Sequence, residues 1–232
     1  MRDGNKDKAM RFLTYYADPM CSWCWGFAPQ IDLVAEHFKK RLPVLLVMGG
    51  LRPGTTEPMD QKLKSSIRNH WEHVAEQSGQ PFDFSFFDRD GFIYDTEPAC
   101  RAVVTVRAIA ADRTLRFFRS IQKAFYADGK DVTKADTLAQ LASEAGVDKD
   151  AFLAKFDSPE IHTSTVNDFL AGPRLGITGY PTLLAEDPDG PPQLVTAGYR
   201  KLDELIPALE NWLMKSEGAR SPTDAGAFPA HR

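Results

Sequence analysis

Three cysteines are all that the 232 residues contain, too few to staple a small scaffold with disulfides. No stretch approaches the roughly 18 consecutive apolar residues that cross a bilayer. The opening Met1-Arg-Asp-Gly-Asn-Lys-Asp-Lys8 has no apolar run behind its charges to act as a signal-peptide core. Neither sign of charge dominates: 28 basic and 32 acidic side chains leave a formal charge of -4, mixed along the chain. There is thus no basic stripe for phosphates and no polybasic anchor. These absences argue against nucleic acid and membrane as partners and lead us to expect a cytoplasmic protein. What is present, 43% apolar and 11% aromatic residues, suffices for one large core or a core with a satellite.

The strand signal occurs at the two ends of the sequence. Residues 11 to 17 contain Phe-Leu-Thr-Tyr-Tyr and stop at Asp18-Pro19, where proline turns the preceding residue away from helical dihedrals. Apolar residues at Phe27, Ile31, Val34 and Phe38 then keep helical spacing from Ser22 to about Lys39, and a second strand is expected from Leu42 to Met48. Gly49-Gly-Leu-Arg-Pro-Gly54 punctuates, and helical patterns fill the next hundred or so residues. Met59, Leu63, Ile67, Trp71 and Val74 form one stripe; Leu115, Phe118, Ile121 and Phe125 form another. A third, Leu138, Leu141 and Ala145, has the capping-box-like Thr133-x-x-Asp136 at its head. Further helices are expected from Thr96-Glu-Pro98 to Ala110 and from Ile161 to Leu170, with an irregular aromatic segment from Pro81 to Tyr94. Strands return at Thr182 to Ala185 and Gln193 to Ala197, a helix follows from Leu202 to Met214, and 218 to 232 reads as a disordered tail. The pattern predicts one mixed sheet covered by helices, with a helical block inserted as a lid or satellite.

The chemistry concentrates in Met20-Cys-Ser-Trp-Cys-Trp-Gly-Phe27. In a reducing compartment a Cys-x-x-Cys pair reads as metal-binding or redox-active. Here it lies where the first strand hands over to the first helix, so unpaired N–H groups and the positive end of the helix dipole favour a thiolate at Cys21. Zinc would need His70-x-x-His73 to complete the set, but that spacing is tight, His70 falls on an apolar stripe, and the ligands would come from separate elements. No metal is expected. Cys100, among Ala99, Val103 and Val106, reads as a small core residue. Arg52, in the glycine-rich loop, reads as a solvated cation before a carboxylate ligand. Trp23, between the cysteines, is expected to be exposed and to touch substrate.

Pro29, five residues after Cys24, sits inside the first helix, where it removes a hydrogen bond and bends the axis. The spacing Cys-x-x-Cys-x-x-x-x-Pro, together with Gly176-Ile-Thr-Gly-Tyr-Pro-Thr-Leu-Leu184, closely resembles the thioredoxin fold and its cis-proline loop. The helical block points to the DsbA-like branch. Cys-Ser-Trp-Cys-Trp-Gly-Phe, Gly49-Gly-Leu-Arg-Pro-Gly-Thr55 and Glu97-Pro-Ala-Cys-Arg-Ala-Val103 resemble the short FrnE-type proteins, described as protein-disulfide isomerases. The resemblance implies an α/β fold with a thioredoxin-like mixed sheet flanked by helices and an inserted all-helical domain. It divides the chain into a discontinuous thioredoxin-like domain (11–54 and 171–214), the insert (55–170) and flexible termini (1–10 and 215–232).

The resemblance also implies roles. Cys21 attacks a substrate disulfide and Cys24 resolves the mixed disulfide; Tyr180 offers main-chain hydrogen bonds to substrate and Pro181, on a cis peptide, orients the loop. DsbA-like proteins place a carboxylate six residues before the first cysteine. Tyr15 occupies that position here, leaving Asp18 as the nearest group for proton transfer. The expected activity is reduction or isomerisation of disulfides in proteins or small thiol compounds, with glutathione or a dithiol as co-substrate and no tightly bound cofactor. The alternative is a glutathione-dependent isomerase or transferase related to the kappa-class transferases and hydroxychromene-carboxylate isomerases, which resemble the same helical-insert architecture.

Overall fold

The computed structural model describes residues 10–188 and 190–218. Residues 1–9 and the expected tail at 219–232 lie outside the described residues. Four strands, β1 (Phe12–Ala17), β2 (Val44–Met48), β3 (Thr182–Glu186) and β4 (Gln193–Ala197), form one sheet in the order β2-β1-β3-β4. β1 is parallel to β2 and antiparallel to β3, and β3 is antiparallel to β4. The parallel crossover between β1 and β2 is made by α1 (Ser22–Phe38). Between β2 and β3 lie α2 (Gln61–Ser78), α3 (Glu97–Ile109), α4 (Thr114–Tyr126), α5 (Ala135–Glu144), α6 (Lys149–Phe156) and α7 (Pro159–Arg174); α8 (Leu202–Gly218) closes the described chain. The expected mixed sheet flanked by helices, with a helical insert between its halves, is the observed architecture.

Period-two alternation decides which helices cover which face. Leu13, Tyr15 and Ala17 are fully buried, and the Tyr15 ring meets Phe27 of α1 and Phe118 of α4 at 5.9 and 6.1 Å. Tyr16, on the opposite face, lies against Gly172 of α7. Gly26 lets α1 and α2 approach closely, since a Cβ there would stand 2.7 Å from Cγ1 of Val74. The insert therefore packs directly on the helix that carries the dithiol.

The aromatic segment from Pro81 to Tyr94 is organised by Trp71. Its indole is fully buried and is ringed by Phe82, Phe86, Phe87 and Tyr126 at centroid distances of 5.2, 5.0, 4.8 and 4.9 Å. Within the segment Phe84–Asp88 forms a short 3₁₀ turn, opened by Asp83 accepting from the Ser85 amide.

Several sequence expectations are corrected. The capping box at Thr133 does not form: its amide and hydroxyl both donate to Asp131, at 3.0 and 2.6 Å, and α5 begins after Lys134 without a side-chain cap. Met59 precedes α2 and instead donates its amide to the Phe92 carbonyl. The sequence reading missed α6, whose eight residues bury only Phe152 and Phe156 and whose signal is the cap Asp148. α7 runs unbroken to Arg174, past the expected boundary at residue 170, and α8 continues beyond Met214 to Gly218.

Trp71→Ala should cost about 3 to 5 kcal/mol, because a large cavity opens among rings that cannot all collapse into it. Denaturant unfolding measures this; a loss below about 1 kcal/mol would mean that the cluster does not organise the insert.

Candidate functional site

Strand register brings three loops to one end of the sheet. Ala17 is paired with Met48 in parallel, and Tyr16 is opposite Thr182 in the antiparallel ladder. The chain leaving β1 (Asp18 to Cys21), the chain leaving β2 (Gly49 to Leu51) and the chain entering β3 (Tyr180 and Pro181) therefore converge. Cys21 is the N-cap of α1 in extended conformation, with φ -92 and ψ 118. Its Sγ is 3.5 Å from the Tyr180 carbonyl, to which the thiol donates. The Tyr180–Pro181 peptide is cis. Tyr180 is pinned by its hydroxyl, which donates to the Gly49 carbonyl at 2.7 Å; a Cβ on Gly49 would fall 2.2 Å from that ring, so the glycine is what lets the two loops meet.

The two sulfurs differ in environment. Cys21 is 6% exposed and Cys24 is completely enclosed; both are free thiols. Burial pushes the Cys24 thiol well up, reinforced by its hydrogen bond with Cys21 and by the Cys21 charge, while the Asp18 main chain opposes the shift.

Asp18 is fully buried. Its carboxylate accepts from the amides of Met20 at 2.8 Å and Leu51 at 2.6 Å, and from the Cys100 thiol at 3.4 Å. Those bonds tie the turn before α1 to the loop after β2 and to α3. Burial raises its pKa against the lowering effect of these donors, and its charge pushes Cys24 upward. Cys100 is a core residue, as its neighbours suggested, yet one whose thiol serves this carboxylate. Tyr94, which sequence reasoning did not single out, donates to the Met20 carbonyl at 2.6 Å; its only signal was its place at the end of the aromatic segment.

Proline 29 leaves the Trp25 carbonyl without its helical donor, since proline has no N–H. Gln80 supplies one, its Nε2 standing 3.0 Å from that oxygen, and Trp25 Nε1 returns a bond to the Pro81 carbonyl at 3.0 Å. The insert is thus stitched to the dithiol helix where the helix is broken.

Trp23 is half-buried, not exposed as expected, because it rests on His73 and Tyr199 at 5.5 and 6.1 Å. With Gln77, Tyr180 and Gly198 these residues line a cavity of about 330 Å³. Trp25 and Phe27 belong to the core. A second, larger groove of about 560 Å³ continues from Tyr180 past Ile177, Leu184 and Leu194. His70 is exposed, off the buried stripe. Among the described residues no group of three or more His, Cys, Asp or Glu side chains could hold a metal ion, and no helix is long and apolar enough to cross a membrane.

Comparison with known proteins places this geometry. The DSBA-like thioredoxin domain matches residues 13–209. A protein of Nitrosomonas europaea, provisionally assigned as a protein disulfide isomerase, superposes with a TM-score of 0.84 at 39% identity, covering 89% of this chain and 98% of its own. The cytosolic disulfide reductase DsbM of Pseudomonas aeruginosa superposes at 0.73 with 26% identity, covering 88% and 99%, and has also been solved with glutathione. The ClpXP adapter protein SpxH of Bacillus subtilis is 20% identical over 169 residues, which are 72% of this chain and 56% of SpxH. The chain spans about half the length of the curated relatives it matches.

Asp18 gives a pH-dependent test. Its carboxyl holds a proton more tightly in the folded state than in the unfolded state, where the ordinary value is 3.8. The native state therefore binds the extra proton, and the stability due to this side chain is present below 3.8 and falls as pH rises through the raised folded value. In denaturant titrations across pH, the stability of wild type relative to Asp18→Asn should decline through that window; a constant difference would show that Asp18 titrates as it does in the unfolded chain.

Proposed function

The chain belongs to the DSBA-like thioredoxin-domain family, and we propose that it is a cytoplasmic thiol-disulfide oxidoreductase that reduces or isomerises the disulfides of proteins or small thiol compounds. The observation that carries this reading is the asymmetry of the dithiol: Cys21 caps α1 with its sulfur at the Tyr180 carbonyl, and Cys24 is fully enclosed behind it. Substrate sulfur can meet only the first, so attack falls to Cys21 and resolution to Cys24.

The Cys21 thiolate attacks one sulfur of a substrate disulfide; the other sulfur leaves and takes up a proton. Cys24 then attacks Cys21, releases the second substrate thiol, and leaves the Cys21–Cys24 disulfide. Two equivalents of glutathione, or one dithiol, restore the reduced pair. The glutathione complex of DsbM supports a thiol co-substrate, and the likeness to a cytosolic reductase supports the compartment and the reducing direction. Main-chain groups of Tyr180 beside Pro181 are assigned to pairing with an extended substrate, and Trp23 to contact with the residue flanking its cysteine.

Cys21→Ser should abolish insulin reduction and recovery of scrambled ribonuclease, whereas Cys24→Ala should accumulate mixed disulfides with glutathione or protein, visible by mass spectrometry. Glutathione-dependent isomerase chemistry would survive Cys24→Ala. Absence of any Cys21-dependent activity in wild type would leave a binding scaffold instead.

A further inference from the structure

Tyr15 is placed in the middle of the central strand, opposite Leu46 on β2 and Leu183 on β3. It is fully buried and its ring is fixed by Phe27 and Phe118. The buried hydroxyl makes no hydrogen bond of normal geometry, in contrast to Tyr94 and Tyr180, whose hydroxyls each donate to a carbonyl. Phenylalanine would pack equally well without burying an unpaired polar group, which costs free energy. The hydroxyl lies beside Cys24, and burial, then the Cys24 and Cys21 charges, push its pKa well up, so it keeps its proton and can only donate to a nearby anion.

The charged and titratable groups facing it are Cys21 and Cys24 from α1 and Arg119 from α4. Arg119 is already engaged by Asp32 at 2.8 Å and Gln122 at 3.1 Å, and the Asp18 carboxylate is occupied by Met20, Leu51 and Cys100. We propose that the Tyr15 hydroxyl is a catalytic hydrogen-bond donor to the Cys24 thiolate, supporting it from inside the fold, where Cys24 has no exposed surface.

The assignment rests on the oxidoreductase reading and specifies how Cys24 works within it. In the resolving step the Cys24 sulfur bonds to Cys21, the bond from Cys21 to substrate breaks, and the proton lost by Cys24 is taken up by the departing substrate thiolate. In the reverse sense, opening the Cys21–Cys24 disulfide by a thiol expels Cys24 as a thiolate. Tyr15 holds that anion in both directions and keeps its own proton throughout.

An aromatic disulfide reagent that releases a coloured thiolate on Cys21 attack, and a second on Cys24 attack, resolves the two steps. Tyr15→Phe should slow the second phase about tenfold and move its pH midpoint up by about one unit. The first phase should change less than about twofold, and thermal stability should hold or rise, since a buried unpaired hydroxyl is removed. A folded Tyr15→Phe protein with an unchanged second phase and midpoint would overturn the assignment. If that variant does not fold, difference infrared spectra of Cys21→Ala across Cys24 ionisation provide the readout. A shift in a tyrosine C–O stretch is expected, and its absence would overturn the assignment. Wild type showing no second phase at all would overturn the oxidoreductase reading, and this assignment with it.

Discussion

The pairing of β1 between β2 and β3 is the constraint on which the dithiol depends. Parallel register with β2 and antiparallel register with β3 bring the end of one strand, the end of another and the start of a third to the same edge of the sheet. Cys21 and Tyr180, 159 residues apart, meet at 3.5 Å for that reason. Everything else at the site refines this convergence. Gly49 admits the Tyr180 ring, Asp18 fastens the loop after β2 to the turn before α1, and Tyr94 holds the Met20 carbonyl from the side of the insert.

The insert does more than cover the sheet. A proline in α1 would ordinarily weaken the helix by a lost hydrogen bond and a clash. Gln80 compensates by occupying the freed Trp25 carbonyl, and the return bond from the Trp25 indole fixes the same two segments from the other direction. Trp71 then holds the loop that carries Gln80 through its contacts with Phe82 and Phe86. Packing in the insert is in this way coupled to the orientation of the helix whose first turn bears both sulfurs, and His73 of α2 reaches the rim of the site against Trp23.

Local signals made the strands and the dithiol legible in the sequence. β3 and β4 flank a run rich in proline and glycine, and β4 stops before Gly198; α1 has a helical stripe and a recognisable start; and Asp18-Pro19 marks the exit from β1. The missing parts are those fixed by tertiary contact. α6 is too short to show a period, and its two buried rings find partners only within the insert. Thr133 had two competing acceptors in reach, and Asp131, nearer in sequence, won. Trp23 looked exposed because a tryptophan between two cysteines has no local partner, whereas His73 and Tyr199 arrive from distant elements. Tyr94 carries no motif of its own, Cys100 was legible only as a core residue, and their bonds to the Met20 carbonyl and to Asp18 exist only once the chain leading into α3 docks beneath the turn before α1.

The depth of Cys24 bears on how readily its sulfur ionises. A dithiol becomes strongly oxidising when its reduced form is stabilised, as when a thiolate is held by donors and positive charge. Cys24 has no cation at hydrogen-bond distance among the described residues; its burial and the neighbouring Asp18 charge both oppose ionisation. The reduced protein therefore draws little stability from a Cys24 thiolate. A single donor such as the Tyr15 hydroxyl would make the Cys24 thiolate kinetically accessible without making it the resting state, which is what the resolving role proposed for this sulfur requires.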